Sequence, residues 1–188
     1  MNVPNLLTLL RFSLVPLIAV EILRGAYVVA LVLFVVSAIS DVADGAIARH
    51  WNQLTRFGAI ADPLADKLTM LTVTVLLWML DALPWWFALA VVLRDALIVA
   101  GALAYELVRG AVEMAPSRIS KINTGFEFML LLAVLAIHAG LLPDGMWRTL
   151  LLAATLVTIV LSGGSYVIVW SGKAARFRRA AAPGKHPS

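Results

Sequence analysis

The chain contains no cysteine, and only 14% of its 188 residues are charged. The lack of cysteine excludes disulfides and thiolate metal ligands, and it leaves the redox compartment undetermined. The hydrophobic share of 62% and the mean hydropathy of +0.93 are far above the values usual for soluble proteins. A water-soluble domain of this length could not bury so much apolar surface. The composition therefore predicts an integral membrane protein.

Charge is also unevenly placed along the chain. The net charge of +4 comes largely from the C-terminal segment, so it gives no reason to expect nucleic-acid binding. The first apolar run contains Arg11 and is followed by no small-residue cleavage site, so we expect a retained helix rather than a signal peptide. We predict a membrane domain over residues 1–170, followed by a basic, disordered cytoplasmic tail over 171–188.

A helix that spans a membrane needs about 20 predominantly apolar residues. The sequence has six segments of about this length, separated by short connectors. They cover residues 5–25, 27–49, 58–80, 84–109, 118–140 and 146–170. The predicted fold is therefore an all-α integral membrane protein, a bundle of six transmembrane helices.

The basic residues predict how this bundle is oriented. If the N-terminus is cytoplasmic, only Arg24 and Arg148 among the basic residues of the connectors fall on the outer side. The six tryptophans lie at predicted helix ends, where interfacial aromatic residues belong. We predict a multi-pass protein of the cytoplasmic (inner) membrane, with residues 41–66 at the cytoplasmic face.

Those residues read DVADGAIARHWNQLTRFGAIADPLAD and carry four aspartates in two pairs. Asp41 and Asp44 are three residues apart, and Asp62 and Asp66 are four apart, so each pair lies on one helical face. In a helical hairpin the four carboxylates converge. Clustered carboxylates repel one another unless a cation lies between them. Because the ligands are oxygens, we expect two Mg²⁺ or Mn²⁺ ions rather than zinc.

The segment matches the pattern D-x2-D-G-x2-A-R-x8-G-x3-D-x3-D at every position. On these residues the chain resembles the CDP-alcohol phosphotransferase family, membrane enzymes of phospholipid synthesis. The resemblance implies that Asp41, Asp44, Asp62 and Asp66 bind the metals. It also implies that Asp66, at the edge of the cluster, is the general base for the attacking hydroxyl.

The resemblance further implies a nucleotide site, which the small residues leave room for. Its predicted members are Thr8, Gly45, Ala48, Arg49 and Gly58. Close packing of two helices is an alternative reason for the glycines and the alanine. Thr8 and Arg11 fit the family's N-terminal pattern N-x-x-T-x-x-R; alternatively, Arg11 extends along apolar surface to the membrane interface.

A basic segment, PSRISKINT, precedes the fifth predicted helix. Arg118 and Lys121 stand at a helix N-terminus, which favours phosphate binding, and the resemblance places the acceptor's phosphate near here. The alternative is that these charges only set the topology. The resemblance also implies a homodimer.

The implied reaction is attack of an acceptor alcohol on CDP-diacylglycerol with release of CMP. The connector resembles phosphatidylglycerophosphate synthases, whose acceptor is glycerol 3-phosphate, whereas the second half resembles cardiolipin synthases, whose acceptor is phosphatidylglycerol. Asn123 stands where the glycerophosphate enzymes have a second lysine, which favours the phosphodiester acceptor. Phe126, Phe128 and Met129 could line a path for its acyl chains.

Other polar residues lie within the apolar segments. Arg94 and Asp95 are adjacent, so we expect them not to pair with each other, and Arg94 to reach Asp66, Glu127 or a substrate phosphate. His50, His138 and Lys67 are interpreted as interface or packing residues.

Two other classes of function remain as alternatives. A small transporter would use the aspartates as an ion pathway, but they cluster at one interface instead of crossing the membrane. An inactive membrane scaffold of the same family would not need the complete motif.

Overall fold

The computed structural model is built of helices. It describes the backbone of residues 3–50, 56–109 and 118–181, and the side chains of residues 10–41, 64–100 and 119–164. Within these ranges there are six helices and no strand, which confirms the predicted all-α class. The helices are α1 (Val3–Leu23), α2 (Tyr27–His50), α3 (Arg56–Met79), α4 (Trp85–Arg109), α5 (Arg118–His138) and α6 (Met146–Ala181).

Helices α1, α3 and α5 end in the same way. The second residue after each helix has a left-handed backbone, with φ of 73° at Gly25, 56° at Asp81 and 72° at Gly140. At the end of α3, the amide of Ala82 donates to the carbonyl of Leu77 at 2.8 Å, which closes the helix. Glycine adopts this conformation freely, and aspartate is one of the few other residues that tolerate it.

The three turns that follow these ends lie together. The ring of Tyr27, at the start of α2, is 5.2 Å from the ring of His138, at the end of α5. Arg148, at the start of α6, donates through Nη2 to the carbonyl of Ala82 at 2.6 Å. Since α2 starts at this end and α3 finishes at it, Asp41 of α2 and the first half of α3 lie toward the other end of the bundle.

The core joins all six helices. Helix α1 packs against α2 and α3, α5 packs against α6 and α2, and α4 packs against α6 and α3. Phe34 of α2 and Phe128 of α5 stack with ring centroids 5.0 Å apart. The core has these main buried side chains: Leu14, Ile18, Ile22, Phe34, Val73, Leu77, Phe87, Val91, Leu130, Leu131, Val134, Leu135 and Ile159. This apolar centre holds α3, α4 and α5 in place around the polar cavity described below.

Large apolar side chains also cover the outside of the bundle. On α4, for example, Leu93 and Leu97 are each 54% exposed, and on α6 Val160 is 65% exposed. Among the described side chains, two helical segments are long and apolar enough to cross a membrane, Ile119–His138 and Met146–Gly164. The apolar part of α2, Tyr27–Asp41, is shorter. Exposed apolar area of this kind is typical of a surface that contacts lipid or another protein.

The last helix is longer than predicted. We expected it to end near Trp170 and a disordered tail to follow, but α6 continues to Ala181. Its last turns read SGKAARFRRAA, and alanine, arginine and lysine are strong helix formers, so a basic composition here does not prevent helix formation. The division into a membrane domain and a tail stays a prediction, and residues 182–188 lie outside the described part of the chain.

Candidate active site

Arg11 joins α1 to α2 beside the aspartate segment. Its Nη1 donates to Asp41 Oδ1 at 2.6 Å. The arginine side chain is 1% exposed and that of Asp41 is 43% exposed. This burial excludes the alternative in which Arg11 extends to the membrane interface. The pair connects α1 to the aspartate segment of α2 and gives the buried guanidinium the nearby anion that it requires.

Asp66 of α3 lies near this pair. Its carboxyl group interacts electrostatically with Asp41 and with Arg11, so the structure brings together one aspartate from each half of the motif. Within the described side chains, no three acidic or histidine residues form a group that could hold a metal ion. The other two aspartates of the motif, Asp44 and Asp62, are outside those side chains.

Most other predicted site residues also have side chains outside the described ranges. These are Thr8, Gly45, Ala48, Arg49, Gly58 and Arg118. Their backbone belongs to α1, α2, α3 and α5, in the segments where the helices were predicted. Their roles in binding the nucleotide and the acceptor phosphate stay predictions.

A cavity of about 330 Å³ opens between α3, α4 and α5. It is lined by Asp66, Lys67, Met70, Arg94, Asp95, Ile98, Ser120, Lys121, Thr124 and Glu127. Two residues predicted independently from different parts of the sequence, Asp66 and Lys121, therefore share one cavity. The lining carries both acidic and basic groups, a combination suited to a ligand that has a phosphate and hydroxyl groups.

Asp95 pairs with two cations in the wall of this cavity. Its Oδ1 accepts from Lys67 Nζ at 3.0 Å and from Arg94 Nη1 at 2.6 Å. The expectation that Arg94 and Asp95 do not pair is wrong, because the long arginine side chain can reach the carboxylate of the next residue. Lys67, interpreted from the sequence as an interface or packing residue, lines the cavity and pairs with Asp95.

Arg94 also ties α4 to the last two helices. Its Nη2 donates to Ser120 Oγ of α5 at 2.7 Å and to Ser162 Oγ of α6 at 3.3 Å. The arginine is 5% exposed, so these bonds lie in the interior of the bundle. Buried charged groups need this degree of pairing and hydrogen bonding to be stable. Arg94 is thus part of the scaffold that shapes the cavity.

Glu127 is the residue of this cavity that sequence reasoning missed, because it was considered only as a partner for Arg94. It is 3% exposed, and its Oε2 accepts from Asn123 Nδ2 at 3.5 Å. Asn123 is 0% exposed, its Oδ1 accepts from Thr158 of α6 at 2.9 Å, and it does not line the cavity. The sequence feature that could have identified Glu127 as a site residue is its position as an ionisable residue within an apolar segment.

The buried position of Asn123 corrects the argument drawn from it. The absence of a second lysine at this position was read as favouring a phosphodiester acceptor, but the side chain is buried and its amide links α5 to α6. Phe128 is likewise unsuited to line a path for acyl chains, since it stacks on Phe34 in the core. Phe126 and Met129, which are 37% and 54% exposed, do face outward.

The Arg94 network generates a prediction about stability. Replacing Arg94 by methionine keeps much of its apolar volume, but it leaves Asp95 with one cation and removes the hydrogen bonds from the arginine to Ser120 and Ser162. We expect the free energy of unfolding to fall by about 3 kcal/mol, measured by denaturant or thermal unfolding in detergent.

The control is Arg24→Met. Arg24 is 70% exposed and pairs with Glu21 at 3.3 Å on the surface. Its loss is expected to change stability by less than about 0.5 kcal/mol. Equal effects of the two substitutions would contradict the structural role given to Arg94.

An all-helical bundle with an apolar outer surface, and with acidic and basic side chains around one cavity, has the features of a membrane-associated enzyme. The sequence profile of the CDP-alcohol phosphatidyltransferase family matches residues 1–161. The chain therefore belongs to this family and is an enzyme of this class.

Relatives within the family are named either cardiolipin synthases or phosphatidylglycerophosphate synthases. A Mycobacterium tuberculosis protein provisionally named a cardiolipin synthase is 34% identical over 91% of this chain and 79% of its own. The cardiolipin synthase (CMP-forming) of Rattus norvegicus is 30% identical over 88% of this chain and 60% of its own. Another M. tuberculosis protein, provisionally named a phosphatidylglycerophosphate synthase, is 31% identical over 88% of this chain and 80% of its own.

Proposed function

We propose that this enzyme is a cardiolipin synthase, which transfers the phosphatidyl group of CDP-diacylglycerol to phosphatidylglycerol and releases CMP. The observation that carries the proposal is the single cavity shared by Asp66 and Lys121. The names of the relatives in rat and M. tuberculosis support this acceptor. The alternative acceptor is glycerol 3-phosphate, which the name of the second M. tuberculosis relative favours.

The reaction we propose is a single displacement at phosphorus. A primary hydroxyl of the acceptor forms a new P–O bond to the phosphorus that carries the diacylglycerol, and the P–O bond to the CMP phosphate breaks. Asp66, which lines the cavity and is half-buried, takes the proton of the attacking hydroxyl. Lys121 is exposed in the same cavity and binds the phosphate of the acceptor. No covalent enzyme intermediate is needed.

We further propose that Asp41, Asp44, Asp62 and Asp66 hold two Mg²⁺ or Mn²⁺ ions. The carboxylate oxygens of Asp41 and Asp66 fit such ions, because these cations prefer hard oxygen ligands. Asp41 is half-exposed even though one oxygen is bound by Arg11, so its carboxylate remains accessible. When bound, the ions stabilise the negative charge that develops on the phosphoryl oxygens and the leaving group.

The metal proposal predicts that CMP release from CDP-diacylglycerol requires added Mg²⁺ or Mn²⁺ and stops with a chelator. Asp44→Asn is expected to lower the rate by more than tenfold, because a lost metal ligand removes several kcal/mol of charge stabilisation and each 1.4 kcal/mol is tenfold. The measurement is CMP release by purified protein.

The control is Asp144→Asn, in the exposed pair with Arg148 beside the turn before α6. It should leave the rate unchanged. A variant at Asp44 that keeps more than about a tenth of the wild-type rate, while remaining folded in detergent, would disprove the assignment.

The choice of acceptor rests on how the head group and the acyl chains are accommodated. The cavity is small, so the acyl chains of a lipid acceptor must lie outside it. The exposed Ile122, Phe126 and Met129 of α5 share one helical face, but this face is opposite to the residues of α5 that line the cavity, so it offers no apolar path from the head group.

The acceptor is identified by supplying each compound separately with CDP-diacylglycerol and Mg²⁺ and analysing the lipid product. We expect phosphatidylglycerol to give cardiolipin at a higher rate than glycerol 3-phosphate gives phosphatidylglycerophosphate. Lys121→Ala is expected to raise the KM for the acceptor by about tenfold, because it removes a charge-assisted contact to phosphate.

Formation of phosphatidylglycerophosphate with no cardiolipin would show that the enzyme uses the soluble acceptor. An unchanged KM for the acceptor in Lys121→Ala would remove this lysine from the site.

We propose that all six helices cross the inner membrane, with the cavity open to the cytoplasm. The exposed apolar side chains on the outer faces support this arrangement, as does the excess of basic residues on one predicted side. A homodimer remains a prediction from the family resemblance. Single cysteines at Asn52 and Ser188 test the orientation, since an impermeant thiol reagent added to intact cells should label neither, whereas a control cysteine at Asp144 should react.

A further inference from the structure

Glu127 stands apart from the other acids that line the cavity. Asp95 is paired with both Lys67 and Arg94. Glu127 has no ion pair within 4 Å among the described residues, although its side chain is 3% exposed. Burying a carboxyl group without a direct ion pair is costly, so such a group calls for a hydrogen-bond donor from another source.

The surroundings of Glu127 fix its orientation but satisfy it only in part. Thr158 donates to Asn123 Oδ1 at 2.9 Å, so the amide nitrogen of Asn123 faces Glu127. That amide is 3.5 Å from Oε2, at the outer limit for a hydrogen bond. A carboxylate has about four lone-pair positions for hydrogen-bond donors. Glu127 therefore keeps spare acceptor capacity, on a cavity that also contains Asp66.

We propose that Glu127 is a specificity-determining residue that accepts a hydrogen bond from the non-reacting secondary hydroxyl of the acceptor's glycerol. The inference rests on the proposed function, because it assumes that the acceptor lies in this cavity. Both candidate acceptors carry a primary hydroxyl next to a secondary one. Asp66 receives the proton of the primary hydroxyl, and Glu127 binds its neighbour. The two carboxylates then orient the attacking oxygen toward phosphorus.

The test compares acceptors that differ only in the secondary hydroxyl. Phosphatidylglycerol is compared with phosphatidyl-propane-1,3-diol, and glycerol 3-phosphate with 3-hydroxypropyl phosphate. For the wild-type enzyme we expect kcat/KM to fall about 10- to 100-fold when the hydroxyl is absent, since a site built to bind a hydroxyl discriminates against its loss. Equal kcat/KM values for both members of the accepted pair would overturn the proposal without any mutation.

Variants at position 127 assign the discrimination to this residue. In Glu127→Leu the ratio of kcat/KM between the paired acceptors should fall to within about twofold of one, because the hydrogen bond is absent with either acceptor. Glu127→Gln keeps the size and one acceptor oxygen but not the charge, and charge-assisted bonds are about twice as strong as neutral ones. Its ratio should lie between those of the wild type and the leucine variant.

If Glu127→Leu does not fold, the glutamine variant decides the question, and a wild-type ratio in Glu127→Gln overturns the proposal. Thr74→Val is the control, since Thr74 is 0% exposed on α3, its hydroxyl has no hydrogen-bond partner among the described residues, and it does not line the cavity. It should keep both the activity and the ratio. If only the glycerol 3-phosphate pair reacts, the proposal of a lipid acceptor is wrong. The ratio of kcat/KM within that pair still tests the role of Glu127.

Discussion

A charged group in the interior of an apolar helical bundle is stable only where an opposite charge and hydrogen bonds surround it. The carboxylate of Asp95 meets this requirement for two cations, Lys67 of α3 and Arg94 of its own helix. Arg94 then extends the network to α5 and α6 through two serines. The relative positions of four helices, and hence the shape of the cavity between α3, α4 and α5, depend on this one network.

The same network determines which charges remain for a ligand. Lys67 and Arg94 are held by Asp95, which leaves Lys121 as the cation of the cavity without an ion pair among the described residues. On the acidic side, Asp66 and Glu127 are likewise without an ion pair in that part of the chain. A cavity with one cation and two carboxyl groups outside ion pairs matches an acceptor that carries one phosphate and two hydroxyls. It matches a multiply charged phosphate less well.

The fold could be predicted largely from the sequence because apolar runs and connectors mark helices directly. The first five helices begin and end within a few residues of the predicted limits. The end of α6 could not be predicted from the sequence, because a basic alanine-rich segment is compatible with both helix and disorder. For the site, the sharing of one cavity by Asp66 and Lys121 followed from the motif and the basic segment.

Side-chain partners were harder to predict than helices. The pairing of Arg94 with Asp95 depends on the reach of a flexible side chain, which helix periodicity does not describe. Asn123 was used to choose between acceptors because of its place in a sequence pattern, but the pattern does not specify which side chains of α5 pack on α6. Glu127 lies four residues further along α5 and does line the cavity. Asn123 and Glu127 lie on the same side of α5, so helical periodicity alone does not separate the residue that packs on α6 from the one that lines the cavity.

The correction at Asn123 also changes how acceptor choice should be understood. A lysine at a fully buried position beside Glu127 would neutralise that carboxylate rather than reach a ligand phosphate. With asparagine there, Glu127 stays available for a hydroxyl, a feature that both glycerol acceptors share. Discrimination between them must then come from groups outside the diol, such as the charge around Lys121. The exposed Phe126 and Met129 lie on the face of α5 opposite to the cavity, so an acceptor in the cavity would not cover them.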